Sequence, residues 1–472
     1  MLVGQKTLHS RYNPLTEAER YIVSLNLPDN IQYIILAECG LCYLIQPLRR
    51  KFPAAKIISL HASAFYRGKS VAPPDAEWLP GSSVNRGVFL ENEIDDTEAD
   101  KVKIIEWRPA ADLYGEEYLN LVKDITTFVK RADANKRTRS AFGERWVKNV
   151  IKNCFFFNNE VGLSLPERGD SACVVAGAGP GLEYAYSAIR RLTKSGAFLI
   201  AVSSAAGALF HAGLRPDIIV ACDGGNWALV HLFEAVRLFC KKEAPASPAL
   251  AFNLSAALPS WCAAFRLLPF GDGTLFQNLA QKCFGMPPLS FPQRGTVGAS
   301  ALDLAFYLSG GTVYTAGIDF SHKDIRTHAK PYAFDKILFG AADRLHPVYS
   351  LQFERAETII SSGVNRIYRD WFAAQDYRRK IHPLTDSKLT VESCSGKTNA
   401  RIFEYSKKNR VKMPVTRLVT ALINTLEAPE TGGRLTEELS TLLLNSPPDG
   451  ERLREELLRV SEKYRVMEAR NG

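Results

Sequence analysis

At 472 residues and 46% hydrophobic composition the chain exceeds one ordinary core, which usually takes about 100–200 residues, so two or three domains are expected. The net charge of +9 is moderate, and the basic stretch KRADANKRTRSAFGERWVKNVIK (130–152) has only Phe142 and Trp146 as aromatics. A solvated helix face is expected there rather than a stacking groove for nucleic acid. No apolar run is long enough to span a membrane and MLVGQKTLHSRYNP lacks the apolar core of a signal peptide, so a cytoplasmic protein is expected.

In chain order, YIILAE (33–38), a helix over 41–51 and AKIISLH (55–61) form a strand, helix, strand unit within a first domain, 1–112. This unit resembles the start of a methyltransferase-like Rossmann domain. Where that fold has its glycine loop stand Glu38, Cys39, Gly40, Leu41 and Cys42, so a degenerate, cofactor-free scaffold is expected. The nine cysteines are scattered, mostly in apolar segments, and read as reduced core thiols. Cys39 and Cys42 form a CxxC without a second such pair, so buried thiols are expected there rather than zinc. Residues 113–155 read as one or two connecting helices.

The central segment, 156–405, alternates strand-like runs with helical patterns: CVVAG (173–177), FLIAVSS (198–204), IIVACD (218–223), ALAFN (249–253) and TVYTAGID (312–319). Leu182, Ala185, Ile189 and Leu192 recur at helical spacing, as do Ala299, Leu302, Ala305, Phe306 and Ser309. The expected fold class is therefore α/β, with a central doubly wound Rossmann-like domain whose parallel sheet is covered on both faces. The tail, 406–472, is helical. Val415, Leu418, Val419, Leu422, Ile423 and Leu426 keep one face, and Leu453, Leu457, Val460, Tyr464 and Met467 nearly a heptad, for packing or self-association.

In open parallel sheets ligands bind beyond the carboxyl ends of the strands. Those ends hold Gly177, Gly179, Pro180 and Gly181, then Ser203 and Ser204, Asp223, Asn253 and Asp319. AGAGPGLE fails the dinucleotide pattern, since Leu182 stands where the third glycine should and Ser203 and Ser204 replace the ribose-binding acid; no GK[ST] follows for a Walker loop. The two glycines allow a tight turn and Pro180 presets a helix whose free amides favour an anion. Asp217 reads as a turn residue, and Asp223 as a ligand for a hydroxyl, base or metal, or as a turn. GIDFSHKDIRTHA places Asp319, His322, Asp324 and His328 within ten positions, without a standard zinc spacing.

The ordered set AGAGPGLE (176–183), IAVSSAAGALFHAGLRPDIIVACD (200–223), GTVGASALDLAFYLSGGTVYTAGIDFS (295–321) and THA (327–329) resembles the motility-associated factor (Maf) flagellin glycosyltransferases. It also resembles the related domain family named after 6-hydroxymethylpterin diphosphokinase, MptE-like. With the upstream unit, the resemblance covers most of residues 30–400. It implies a sialyltransferase-like central domain and an inverting, metal-independent transfer of a nonulosonic acid from a CMP-activated donor to Ser/Thr of flagellin. It further implies that Gly177, Gly179, Pro180 and Gly181 line the nucleotide loop, that Ser203 and Asp223 lie beside the nucleotide, and that Asp319 and His328 face the reacting centre. The family pattern has serine where this chain has Gly181. No cofactor beyond the donor substrate is expected, and the partners expected are the CMP-sugar and flagellin, with a homo-oligomer through the tail helices as an option. The alternatives are a magnesium-dependent diphosphokinase acting on a pterin with ATP, Asp223 and Asp319 holding the metal, and a non-catalytic flagellar scaffold.

Overall fold

The computed structural model describes residues 2–3, 6–94, 96–157, 168–240, 247–293, 295–320, 322–323, 325–361, 381–384, 415–444 and 448–471. The chain divides into two compact units, Met1–Ala141 and Phe142–Gly472.

The first unit opens with a short antiparallel pair, β1 (Leu2–Val3) and β2 (Lys6–Thr7), and α1 (Pro14–Ser24), whose first turn is capped by Asn13. Then come β3 (Tyr33–Ala37), α2 (Ile45–Lys51), β4 (Lys56–Leu60), β5 (Ala76–Trp78), α3 (Arg86–Glu93), β6 (Val102–Glu106) and α4 (Arg108–Tyr114). The four longer strands make a parallel sheet in the order β5-β4-β3-β6. Ile34, Ile35, Leu36, Ile57, Ile58 and Leu60 are fully buried in it, as strands covered on both faces must be. Helix α5 (Glu116–Phe157) follows as one uninterrupted element. Tyr118, Leu121, Ile125 and Phe128 belong to the first core, whereas Val147, Val150, Ile151, Cys154, Phe155 and Phe157 belong to a core of the second unit. Its basic stretch behaves as a solvated face: Arg131 pairs with Glu91, Lys136 with Asp100 and Lys148 with Glu144.

The second unit contains β7 (Cys173–Ala176), α6 (Leu182–Lys194), β8 (Phe198–Val202), α7 (Ala206–His211), β9 (Ile218–Ala221), α8 (Ala228–Phe239), β10 (Ala249–Asn253), β11 (Arg266–Phe270), α9 (Leu275–Cys283), α10 (Val297–Leu308), β12 (Val313–Ala316), α11 (Asp335–Ala341), α12 (Val348–Ser361) and β13 (Ile381–Pro383). The seven strands are all parallel, in the order β11-β10-β9-β8-β7-β12-β13. This is the doubly wound Rossmann-like arrangement expected from the sequence. Side chains alternate between two cores along β9 and β10: Ile218, Val220, Ala249 and Ala251 face one, and Ile219, Ala221, Leu250 and Phe252 the other.

The tail helices Val415–Leu426, Gly432–Leu439 and Gly450–Asn471 complete that second core with Leu418, Val419, Leu422, Leu435, Leu439, Leu453, Leu457 and Val460. Packing within the chain therefore occupies the apolar face read from the sequence. The side chains of Val415, Tyr464 and Met467 lie outside the described residues. Glu438 fastens the tail, its two carboxylate oxygens accepting the Leu275 and Phe276 amides at the start of α9 at 3.0 and 2.9 Å. No helix among the described residues is long and apolar enough to cross a membrane.

Candidate active site at the reversal of strand order

From β7 the chain steps outward through β8, β9, β10 and β11, then returns to place β12 on the other side of β7. Strand order reverses between β7 and β12, the position where such sheets open a crevice for ligands. The glycine loop leaves β7 at that point, and Asp319 follows β12. The two segments are joined closely: Gly177 N donates to Ala316 O at 2.7 Å, Gly179 N to Gly317 O at 2.8 Å, and Gly181 N to Asp319 Oδ2 at 2.6 Å. A Cβ at Gly179 or Gly181 would lie 2.5 Å from an Asp319 carboxylate oxygen. A side chain at either position would require that carboxylate to move.

Asp319 sits where an anion would bind, against the first turn of α6. Burial raises its pKa, with the Gly181 amide pulling the other way. The loop thus turns three of the amides expected to meet phosphate, those of Gly177, Gly179 and Gly181, toward acceptors inside the protein. The reason is local: segment 316–319 approaches so closely that its carbonyls at 316 and 317 and the Asp319 carboxylate take those donors.

The THA segment docks onto the same loop. Ala329 N donates to Ala178 O at 2.8 Å, while Glu183 of α6 accepts from Lys330 N at 2.9 Å and from Arg326 Nη1 at 3.1 Å. His328 is thereby set beside the crevice. Its ring stacks on Tyr332 at 4.0 Å, and its Nδ1 shares a 2.9 Å hydrogen bond with Thr327 Oγ1. Arg355, from α12, lies over the rings of Tyr332 and Phe334 at 5.1 and 5.0 Å, and its Nη2 is 3.3 Å from the Tyr332 hydroxyl. His231, from α8, approaches that hydroxyl at 3.4 Å. Lys330 pairs with Asp335, which also accepts the Tyr332 amide.

Burial pushes the His328 pKa down to about 3, helped by the charges of Arg355, His231 and Lys330; burial and Arg355 push His231 down to about 4. Both rings are neutral near pH 7. An unfolded histidine takes up its proton near 6.5, so between about 6.5 and 3 the unfolded chain binds more protons than the folded one. The contribution of each is complete above about 6.5 and is lost as pH falls, amounting to roughly 3 kcal/mol for His231 at the acid limit. Asp217, Asp319 and Glu438, with pKa values raised by burial, act with the opposite sign. Comparison of one variant isolates the histidine: His231→Phe should lose less stability than wild type between pH 7 and 5 in urea titrations. Equal losses would show that His231 does not titrate this way.

The remaining strand-end residues form a second group. Ser203 and Ser204 follow β8 in a half-buried 3-10 turn. Asp223 is exposed, and its Oδ1 accepts the Gly225 amide at 2.7 Å, closing a turn. Asn253 is buried, its Oδ1 taken by Ser255 N at 2.9 Å and Ser255 Oγ at 2.6 Å. Asn149 and Asn153 of α5 hold these loops by donating to the carbonyls of Gly224, Ser255, Leu254 and Ala256. Asp217, read as a turn residue, instead ties the start of β9 to β8, its Oδ2 accepting the Leu199 amide at 2.8 Å. His322 is exposed, and Asp324 lies outside the described residues.

Hydrogen bonds thus join the glycine loop, Asp319 and the segment bearing His328, while Asp223 and Asn253 organise neighbouring turns. The sequence reading passed over Glu183, Tyr332, Arg355 and Asn149. Glu183 stood within the quoted glycine stretch and Tyr332 four residues after His328, but Arg355 lies on a helix with no local signal.

The cavity beside His328, lined also by Lys330, Tyr332, Asp335 and Arg355, is about 10 Å³, scarcely a water's volume. A much larger concavity of about 810 Å³ lies in the tail, walled by Leu426, Glu427, Asp449 and Arg454, and includes none of the strand-end residues. Among the described residues, no three His, Cys, Asp or Glu ligand atoms converge at these strand ends.

Residues 148–324 match the family described as 6-hydroxymethylpterin diphosphokinase MptE-like. Two uncharacterized proteins of Treponema pallidum (strain Nichols) are similar: one is 28% identical over 270 residues, 56% of this chain and 57% of that protein, and the other 27% identical over 245 residues, 50% and 41%. The chain spans about half the length of the curated relatives it matches. Among solved structures, a Maf glycosyltransferase from Magnetospirillum magneticum AMB-1 aligns with 95% of this chain and 76% of its own, at 12% identity and a TM-score of 0.43.

Proposed function

We propose that this chain, whose residues 148–324 match the MptE-like family, is a glycosyltransferase that moves a nonulosonic acid from a CMP-activated donor to Ser/Thr of flagellin. The observation that carries the reading is the docking of residues 326–330 onto the glycine loop, which sets His328, Lys330 and Arg355 around the strand-order reversal. The ordered sequence motifs lie on these same segments. In such a transfer CMP departs from the anomeric carbon as positive charge grows on the sugar, and the acceptor hydroxyl loses a proton. The site then needs a base and fixed positive charge facing the leaving phosphate.

His328 supplies the base in this reading and Asp319 positions the loop, since Asp319 is already committed to the Gly181 amide. Arg355 and Lys330 provide the charge. The same two cations depress the His328 pKa, so an anionic donor arriving beside them offsets that effect and makes His328 a stronger base when the donor is bound. Ser203 and Asp223 flank the nucleotide on the β8 and β9 side of the crevice. A chain acting on CMP-sugars and newly made flagellin would work in the cytoplasm and need no metal.

The diphosphokinase reading, which the family's description suggests, asks Asp223 and Asp319 to hold magnesium. It is less well supported, because Asp319 caps α6 and the Asp223 carboxylate closes a turn. Thermal denaturation with CMP, CTP, ATP or a pterin, each with and without magnesium, separates the readings. Stabilisation by CMP without metal, at concentrations well above its Kd, is expected at about 2–3 kcal/mol. A shift that appears only with ATP and magnesium would replace the transferase with the kinase, and no shift with any of them would favour the scaffold.

A further inference from the structure

In the first unit, the loop after β3 and the end of β4 bring together a set of donors unused by the proposed transfer. Glu38, Gly40 and Cys42 all take positive φ values, +52°, +57° and +63°, which curl the chain so that Cys39 and Cys42 both turn inward. Their sulfurs are 3.2 Å apart, and both residues are fully buried. His61, just beyond β4 and also fully buried, completes a group whose ligand atoms all lie within 4.8 Å of one another.

Two carboxylates surround this group in different ways. Glu38 is fully buried, and its oxygens accept the Gly40 amide at 3.0 Å, the Ala62 amide at 2.6 Å and His61 Nδ1 at 3.3 Å. Glu38 thus accepts from Nδ1, and Nε2 lies on the other side of the ring. There Nε2 meets Glu77 Oε1 at 3.2 Å and Ser59 Oγ at 3.0 Å, and Ser59 Oγ is in turn 3.3 Å from Cys39 Sγ. Ser70 Oγ links Glu77 to Cys42, at 3.4 and 3.5 Å. A histidine nitrogen and two thiols thus converge, a carboxylate, Glu77, stands beside Nε2 where a side-chain rotation can bring it in as a fourth donor, and the other imidazole nitrogen is held by a second carboxylate. This is the donor set of a four-coordinate soft divalent ion with an outer-shell carboxylate orienting its histidine.

We propose that this loop is a zinc site, with Cys39 Sγ, Cys42 Sγ, His61 Nε2 and Glu77 Oε1 as ligands and Glu38 as the positioning carboxylate. Binding displaces to solvent the protons held on the sulfurs and on His61 Nε2, and leaves the oxidation states of metal and sulfur unchanged. Tetrahedral zinc with bonds of about 2.3 Å to sulfur sets the two sulfurs about 3.8 Å apart, so they separate by a small side-chain rotation. Glu77, with 25% of its side chain exposed, marks the solvent side from which an ion enters. The site occupies the place of a Rossmann glycine loop, and its role is to hold that loop against the sheet. Sequence spacing concealed it because His61 and Glu77 come from later strands.

Full-length protein purified under reducing conditions without chelator should carry close to one zinc per chain by plasma mass spectrometry, and Cys42→Ser should lose it. Because that change could disrupt the loop, wild-type protein stripped by chelator gives an independent measurement. Cobalt(II) should produce a thiolate charge-transfer band, and zinc chloride should raise the melting temperature. Glu38→Gln, which keeps all four ligands, should bind zinc about 10–100-fold more weakly. Wild-type protein with no zinc, no cobalt band and no response to zinc chloride overturns the proposal. So does full zinc retention in Cys42→Ser, or a Cys39–Cys42 disulfide that, once reduced, still takes up no metal.

Discussion

Gly177→Ala destabilises the second unit by about 3 kcal/mol or more in denaturant titration. An added Cβ would stand 2.4 Å from Gly317 O and 2.9 Å from Gly317 C, both closer than real Cβ contacts come. Both obstacles are backbone. They are held by the pairing of Ala176 with Ala316 and by the Gly177 N to Ala316 O bond, so neither can rotate aside. Gly317 has no freedom either, with a φ of +64° and its own Cβ position 2.5 Å from Gly177 O. Gly181→Ala meets a softer obstacle, the end of the Asp319 side chain at 2.5 Å. That carboxylate can swing away at the loss of one hydrogen bond, for about 1–2 kcal/mol. The order of the two effects is the test: if Gly181→Ala costs as much as Gly177→Ala, the backbone contact between β7 and β12 is not what fixes the loop.

His328→Ala should lower sugar transfer by about 100- to 10,000-fold, the range ascribed to a general base, while the protein stays folded. Its imidazole stacks on Tyr332 and bonds Thr327, and none of the three belongs to the apolar cores of the unit. Asp319→Asn should behave differently. It weakens the acceptor of the Gly181 amide, so the melting temperature falls along with activity. Full activity in His328→Ala would remove the base from the mechanism. Parallel losses of activity and stability in both variants would make His328 a structural residue like Asp319.

What could be read from the chain follows from how far each signal extends along it. Strands β7, β8, β9, β10 and β12 were legible because burial on both faces demands continuous apolar runs; β10 was read with its observed bounds, the ends of the other four were read one to three positions too long, and β12 was also begun one position early. β11 (RLLPF) and β13 (IHP) were missed because each carries a proline and pairs on one side only, conditions under which strands need no strong pattern. The glycine loop and Asp319 were found through their positions at strand ends. Their mutual contact was not, since Gly181 and Asp319 are 138 positions apart. Arg355 was invisible for the same reason: a charged residue on an ordinary helix gains meaning only when folding lays it over Tyr332.

Among the described residues, the three of β13 pair with β12 on its outer side, where Ile381, His382 and Pro383 align with Val313, Tyr314 and Thr315. The segment matched to the MptE-like family ends at 324, before the THA segment, α11, α12 and this strand. A fragment cut to the matched boundaries would therefore expose the ladder groups of β12, leave Glu183 without Arg326 and Lys330, and invite association through the bared flank. The smallest autonomous piece is larger than the recognisable one.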